Sequence, residues 1–309
     1  MVVEHTNGLV PALRAALGSR LRVDEPLARH TSMRVGGPAD VLAMPESAAE
    51  LAQVLAGAAA SGVRVTLLGG GSNVLVGDGG IRGVVVKLGR GFSAIDWSDG
   101  PAGPRVRAEA AVQLGKLARA AVTRGLAGLE YAEGIPGTVG GALFMNAGAY
   151  GGDLSGVVDA VEGAMPDGEC VELRGPALRF RYRRAEVPRG FVVTAVVFAL
   201  TRDDAGAVRA RMNEARRRRL AGQPQGNPSA GSIFKNPGGD FAGRLIEGAG
   251  LKGARAGRAR ISDRHANFIV NEGGARAADV KALMDVAQRE VWERSGVWLE
   301  PEVQLVGSW

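Results

Sequence analysis

Leu9, Leu13 and Leu17 recur every fourth position ahead of Gly18, a spacing that lines one side of a helix and predicts a short amphipathic one. The apolar stretch 41–44 reads as a strand. Ser47 and Glu50 then form a capping box that opens an alanine-rich helix running to Ala60, with Gly62 ending it. Residues 65–68 are an apolar, β-branched run that stops at three glycines, which predicts a buried strand opening into a loop. The run 81–88, with Val84, Val85 and Val86, returns as another strand. A turn rich in Gly, Pro and Asp near 98–104 precedes a strand at 105–110 and a helix at 112–124 capped by Gly125. Strand-like runs at 157–165, 169–173 and 191–200 alternate with turns. Helices follow at 205–220, at 240–249 with Asp240 as cap and Gly250 as stop, and at 277–294. In the last of these Val280, Leu283, Met284, Ala287 and Val291 make one stripe, so it packs on a core. Strands at 266–271 and 297–306 complete the pattern, and Pro224, Gly226, Asn227 and Pro228 place a domain boundary near 205–225.

Two stretches depart from this alternation. At Gly69-Gly70-Gly71-Ser72-Asn73 no Cβ shields the main chain from an anion until Ser72. Successive N–H groups can therefore point at a phosphate, with Ser72 and Asn73 as side-chain donors. A plain glycine-rich turn is the competing reading. The second stretch is Gly134-Ile135-Pro136-Gly137-Thr138-Val139-Gly140-Gly141-Ala142, continued by Asn146-Ala147-Gly148-Ala149-Tyr150-Gly151-Gly152. Residues this small cannot build a core from side chains, so the backbone must lie against something else. A cofactor is the natural candidate; a helix start packed closely on a sheet is the alternative. Neither stretch is the Gly-x-Gly-x-x-Gly fingerprint that opens a helix, which disfavours a nicotinamide Rossmann domain.

A chain of 309 residues, 46% apolar and 23% charged, has the composition of a globular protein with room for two domains. No apolar run reaches the roughly 18 residues of a membrane span. Met1, Val2, Val3, Glu4 and His5 lack the basic-then-apolar layout of a signal peptide, so a cytoplasmic protein without membrane contact is expected. The lone Cys170 reads as a strand residue with no chemistry, and His5, His30 and His265 lack paired spacing, so no metal is expected. Only five of the 38 basic residues behind the net charge of +6 are lysines; the rest are arginine, the better fork for phosphate and carboxylate. Genomic base composition explains that bias equally well. Phe180-Arg181-Tyr182-Arg183-Arg184 interleaves basic and aromatic residues but is too short and isolated for a nucleic-acid surface, and none is expected as a partner. Arg216, Arg217, Arg218 and Arg219 spread around a helix, which leaves a solvated face as the ordinary outcome and one or two of them for an anion.

In combination these stretches are specific. Leu68-Gly69-Gly70-Gly71-Ser72-Asn73, Gly134-Ile135-Pro136-Gly137-Thr138-Val139-Gly140-Gly141, the loop 229–237 and the closing Pro301-Glu302-Val303 together resemble the UDP-N-acetylenolpyruvoylglucosamine reductase family, MurB. The likeness runs from about residue 28 to 307, motifs in order. It implies an α+β chain with an FAD-binding fold of the p-cresol methylhydroxylase and vanillyl-alcohol oxidase type. Residues 1–210 would hold FAD in two α+β subdomains, 1–90 and 91–210. A separate C-terminal α+β domain, 211–309, would bind substrate, its last strand, 297–307, returning toward the FAD domain. The resemblance further implies NADPH as electron donor, a monomer, and reduction of UDP-N-acetylglucosamine enolpyruvate to UDP-N-acetylmuramate for peptidoglycan.

Matched residue by residue, the resemblance implies Arg183, Ser232 and Glu302 as catalytic: Arg183 at the enolpyruvyl carboxylate, Ser232 as proton donor, Glu302 assisting at the carboxylate. It implies cofactor contacts from Gly69, Gly70, Gly71, Ser72, Asn73, Ile135, Gly137, Thr138, Gly140, Gly141, Asn146, Gly148 and Ala149. Substrate contacts are implied for Tyr182, Arg218, Arg219, Gln223, Lys235, Asn236 and His265, with Arg218 or Arg219 on the UDP pyrophosphate. The chemistry is consistent. A hydride adds to the terminal alkene carbon only if the extra electron density is held as an enolate, which Arg183 suits. A proton must then reach the adjacent carbon, and a serine hydroxyl is a poor acid, so Ser232 relies on the enolate's basicity and on Lys235 nearby. Two features depart from the wider family. Ala185 stands where a serine is frequent, and 191–213 leaves no room for the tyrosine-bearing loop of the long class, which makes this a short-loop sequence. A flavin oxidase of the same superfamily and a non-enzymatic nucleotide-binding module are the competing classes. Many such oxidases tether FAD through histidine, which neither glycine cluster contains; the module would leave the Ser232 and Glu302 loops without purpose.

Overall fold

The structure, a computed structural model, describes residues 8–309; the stretch Met1 to His5 read for a signal layout lies outside the described residues. The chain forms two compact units. The first takes in residues up to Val23, then Val41–Gly70 and Gly83–Arg219; the second takes in Asp24–Asp40, Gly71–Arg82 and Leu220–Trp309.

The first unit has two cores. In one, helices Leu9–Leu17 and Ala48–Ala60 cover strand residues Val41, Ala43, Val84 and Val86. The leucine stripe faces inward as its spacing requires, and Gly57 lets Leu9 approach, since a Cβ there would lie 3.0 Å from Leu9 Cδ1. The hydroxyl of Ser47 accepts from Glu50 N, but the Glu50 carboxylate reaches back to Glu46 N and to Arg20 rather than closing a capping box on Ser47. Leu21–Pro26, Pro38–Ala43, Ile81–Val86 and Val65–Leu67 form a sheet in that order, the last two strands parallel with Val65 opposite Val84. Val65–Leu67 is thus an edge strand, which corrects the expectation of a buried one: Leu67 is 45% exposed, because only one flank of an edge strand is covered.

The other core lies under a five-stranded antiparallel sheet ordered Cys170–Arg174, Val158–Ala164, Val192–Ala199, Gly103–Glu109 and Ile95–Gly100. Along Gly103–Glu109 burial alternates. Pro104, Val106 and Ala108 turn inward, Val106 and Ala108 against helices Leu114–Thr123 and Val139–Phe144, while Arg105 and Arg107 pair across strands with Asp159 and Glu162 at 3.0 and 2.7 Å. Cys170 is exposed at the start of its strand. From Val192–Ala199 the chain passes through Thr201–Arg202 directly into helix Ala205–Gly222, with no inserted loop.

In the second unit Ser229–Ser232, Phe268–Asn271, Ala259–Ile261 and Arg255–Ala256 form an antiparallel sheet in that order. Helices Ala242–Gly248 and Ala277–Ser295 cover it, and the predicted stripe Val280, Leu283, Met284, Ala287, Val291 is buried in that core. Of the strand expected at 297–306 only Gln304–Val306 is regular, pairing in parallel with Val74–Val76. The excursions 24–40 and 71–82 belong here, although the sequence reading placed them in an N-terminal domain ending at 210. Their bonds are non-local: Ser32 Oγ donates to Ser229 O at 2.6 Å, Asn271 Nδ2 to Met33 O at 3.0 Å, and Gly77 N to Val306 O at 2.9 Å. No helix among the described residues is long and apolar enough to cross a membrane.

Candidate functional site

The two glycine stretches meet in the first unit. A Cβ on Gly70 would sit 2.8 Å from Gly137 Cα, and one on Gly69 would sit 3.2 Å from Thr138 Oγ1 and 3.4 Å from Gly141 Cα. Any side chain at Gly70 would therefore prise the loops apart. Gly137, at φ +117°, is in backbone space that L-residues avoid. Gly140 packs on Ala110, where a Cβ would come within 2.9 Å, and the amides of Val139 and Gly140 are used by Val112 O and Ala110 O. The amides of Gly69 and Gly70, by contrast, find no acceptor among the described residues. Adjacent, unshielded N–H groups of this kind suit the diphosphate of a dinucleotide, so the first loop fits FAD. Part of the second stretch owes its glycines instead to backbone packed on backbone. Ile135 packs against the second core.

The continuation 146–153 is a small antiparallel hairpin with Gly148 opposite Asp153. Asn146, expected as a cofactor donor, is buried at φ +40° with its amide fully engaged: Nδ2 donates to Asp153 Oδ2 and Arg181 O, and Oδ1 accepts from Ser155 N. It braces the segment carrying Gly148 and Ala149. Against that segment lies the tight hairpin Arg179–Arg181 and Arg184–Glu186, whose turn is Tyr182-Arg183. Arg183 takes φ +59°, and its Nη1 donates to Gly148 O at 3.0 Å while the guanidinium lies 5.0 Å from the exposed Tyr182 ring. The expected catalytic arginine is thereby fixed on the expected cofactor segment. Ala185 is buried in the second core.

The arginine run divides by helix face. Arg217 and Arg218 point outward and pair with Glu214, Arg218 at 2.7 Å. Arg219 turns inward: its Nε donates to Glu133 O at 3.3 Å, its Cδ abuts Gly134, and it lies 5.7 Å from the Tyr150 ring. Burial pulls its pKa below the ordinary arginine value. Arg219 accordingly attends the second glycine stretch, and of the two arginines expected at pyrophosphate only Arg218 is outward. Gln223 begins beyond this unit, its carbonyl accepting from Gln225 Nε2.

In the second unit Ser232 ends the strand Ser229–Ser232, where Gly231 at φ +74° and a register shift before Ser232 bend the chain. The next residues run beside 300–303. Lys235 N donates to Glu300 O at 2.9 Å, Phe234 bridges Pro301, and Glu302 N donates to Ile233 O at 2.8 Å. Positions 65 to 69 apart in sequence are thus paired through their backbones. Asn73 is tied to the same place, Nδ2 donating to Glu302 O at 3.0 Å while its carbonyl accepts from Gln304 N, so its side chain secures Glu302. Gly71, at φ +66°, gives its carbonyl to Ser32, and Ser72 follows it in this unit.

Three expected substrate residues have structural partners here. The ammonium of Lys235 pairs with Glu300, and Asn236 Oδ1 accepts from Ala242 N at 3.1 Å, starting helix Ala242–Gly248 in place of the expected Asp240, which binds Arg244 and Phe241 N. His265 is half-buried edge-on to Phe268, its Nδ1 accepting from Asn267 N at 3.2 Å; burial first, and the Lys252 charge second, push its pKa down. The sequence reading passed over Asn267 itself. It is buried, and its Oδ1 accepts from Phe234 N at 2.9 Å while Nδ2 donates to Phe234 O at 2.8 Å. A polar residue at the head of the apolar run 268–270 was the available signal.

The chain is similar to known proteins over nearly its whole length. Residues 39–174 match an FAD binding domain, and residues 223–306 match the C-terminal domain of UDP-N-acetylenolpyruvoylglucosamine reductase. The UDP-N-acetylenolpyruvoylglucosamine reductase of Rubrobacter xylanophilus is 46% identical over 289 residues, 93% of this chain and 95% of that protein. That of Desulfosudis oleivorans is 46% identical over 305 residues, 96% and 97% of the two chains. The crystal structure of the Thermus caldophilus reductase superposes with a TM-score of 0.80 at 39% identity, covering 93% of this chain and 98% of that one. The structure of p-cresol methylhydroxylase, at 14% identity and a TM-score of 0.50, shares the fold.

Proposed function

The chain belongs to the UDP-N-acetylenolpyruvoylglucosamine reductase family, and from that premise we propose how its own residues divide the work of reducing the enolpyruvyl ether of UDP-N-acetylglucosamine to the lactyl ether of UDP-N-acetylmuramate. When bound and reduced by NADPH, FAD would supply the hydride. Gly69 and Gly70, with Gly137 to Gly141 behind them, receive the cofactor through main chain left bare of side chains. Arg183 binds the enolpyruvyl carboxylate. Its guanidinium is planar and permanently charged, so it stabilises the enolate more than the neutral alkene that precedes it. Glu302 assists at the substrate carboxylate through a proton held between the two acids. Ser232 Oγ donates its proton to the carbon next to the carboxylate, which completes the reduction, and the alkoxide left behind is reprotonated from solvent.

The observation that supports this reading best is the bond from Glu302 N to Ile233 O, which ties the proposed carboxylate partner to the residue following the proposed proton donor. The cytoplasmic, monomeric setting expected from the sequence belongs to the same proposal. In Ser232→Ala, FAD should stay bound and NADPH should bleach it at the normal rate, while reoxidation by the enolpyruvyl nucleotide slows by about 10²-fold or more, the usual worth of a general acid. Rapid-mixing absorbance reads both steps separately. Reoxidation at the wild-type rate would remove Ser232 from the mechanism.

A further inference from the structure

We infer that Asn267 is a positioning residue for proton transfer: its side-chain amide acts as an added length of strand that sets the Ser232 hydroxyl in register with Glu302. The inference rests on the proposed role of Ser232.

Ser232 is the last residue of its strand in register, opposite Phe268. Beyond it the chain leaves the sheet for 300–303, and a departing segment ordinarily loses its partners. Here the pairing continues for two residues. Ile233 N donates to Asn267 O at 2.9 Å, and then the Asn267 side chain takes over where a backbone would have been, accepting from Phe234 N at 2.9 Å and donating to Phe234 O at 2.8 Å. An amide side chain reproduces both the donor and the acceptor of a peptide unit, and no other uncharged side chain of that length does. On its other flank Ile233 O accepts from Glu302 N at 2.8 Å and from Val303 N at 3.3 Å. Residues 233 and 234 are therefore clamped between Asn267 and the segment bearing Glu302. Ser232 stands at the open end of that clamp.

The surroundings allow little slack. Asn267 and Phe234 are 3% and 2% exposed, so water cannot replace the bonds if the amide is lost. Asn267 N is itself held by His265 Nδ1, and His265 fills the space beside Gly243, where a Cβ would come 3.0 Å from its ring. The amide is anchored at its base as well as at its tip. Displacing a reacting group by about 1 Å costs on the order of 10²-fold in rate, so a clamp this close to a weak acid matters for the proton and not for the cofactor.

The test uses the flavin-loaded full chain and three variants: Asn267→Ala, Asn267→Asp, which keeps the shape and the acceptor but loses the donor, and Ser232→Ala as reference. NADPH reduction of the flavin and its reoxidation by the enolpyruvyl nucleotide are timed separately in H2O and D2O. The inference expects normal flavin content and normal reduction in both Asn267 variants. It expects reoxidation slowed by roughly 10- to 100-fold in Asn267→Ala and less in Asn267→Asp, with a larger solvent isotope effect than wild type because proton transfer has become limiting. Wild-type reoxidation in either Asn267 variant, or reduction and reoxidation slowed alike, overturns it. Failure of both variants to fold assigns Asn267 to stability alone and overturns it too. If Ser232→Ala itself reoxidises normally, the role of Ser232 is what has failed.

Discussion

Ile233 O accepts from Glu302 N at 2.8 Å, which joins the segment after Ser232 to the segment that carries Glu302. Ser232 and Glu302 stand out only through the motifs around them, and nothing local to either predicts that 233 and 302 share a hydrogen bond. Asn73, Asn146 and Asn236 were expected at ligand, and each also makes a side-chain bond to backbone. An asparagine amide suits a cap, a strand end and a phosphate equally, so its type alone does not say which. Tyr131 is a case the sequence is silent on. Its hydroxyl oxygen is buried with no hydrogen-bond partner among the described residues, its ring lies against Gly152, and burial followed by the Asp153 and Glu130 charges drives its pKa upward. Removing an unsatisfied buried hydroxyl relieves a desolvation cost, so Tyr131→Phe should stabilise the apoprotein by about 1 kcal/mol in urea unfolding. A loss of similar size would mean that the hydroxyl has a partner in the folded protein.

Among the elements, long periodic ones were legible and short ones were not. Helices Leu9–Leu17, Ala48–Ala60 and Ala277–Ser295 fall where their leucine, alanine and valine spacing puts them. Arg255–Ala256 and Ala259–Ile261 went unread, because two or three residues interrupted by Arg258 and Gly257 carry no measurable alternation. Termini depend on distant residues as well. Helix Ala277–Ser295 begins under Asp78, whose two carboxylate oxygens accept from Ala277 N at 2.8 Å and Ala278 N at 3.0 Å, across 199 and 200 positions of sequence. A carboxylate on the first free amides satisfies them and faces the positive end of the helix dipole. Asp78→Ala should therefore cost about 1 to 2 kcal/mol, read from the shift in urea midpoint, with Asp78→Asn recovering part of it. No change in midpoint would show that solvent serves those amides as well.

For the molecule as a whole, fold class and family were legible because the motifs come in order along nearly the entire chain, and that order survives any uncertainty about single elements. The division into units was not legible as a single cut. Residues 24–40 and 71–82 join the C-terminal unit through Ser32, Asn271 and Gly77, contacts that no local composition announces. Such excursions also mean that the glycine loop changes unit within itself, Gly69 and Gly70 on one side and Gly71 to Asn73 on the other. In the proposed function, bare main chain at Gly69, Gly70 and Gly137 to Gly141 holds a flavin that passes a hydride to a carboxylate-bearing double bond. An anaerobic absorbance titration of the purified protein tests it most directly. The account predicts a yellow protein that one equivalent of NADPH bleaches and one equivalent of the enolpyruvyl nucleotide recolours. A protein that takes up no FAD, or whose reduced flavin the enolpyruvyl nucleotide leaves bleached, would contradict it.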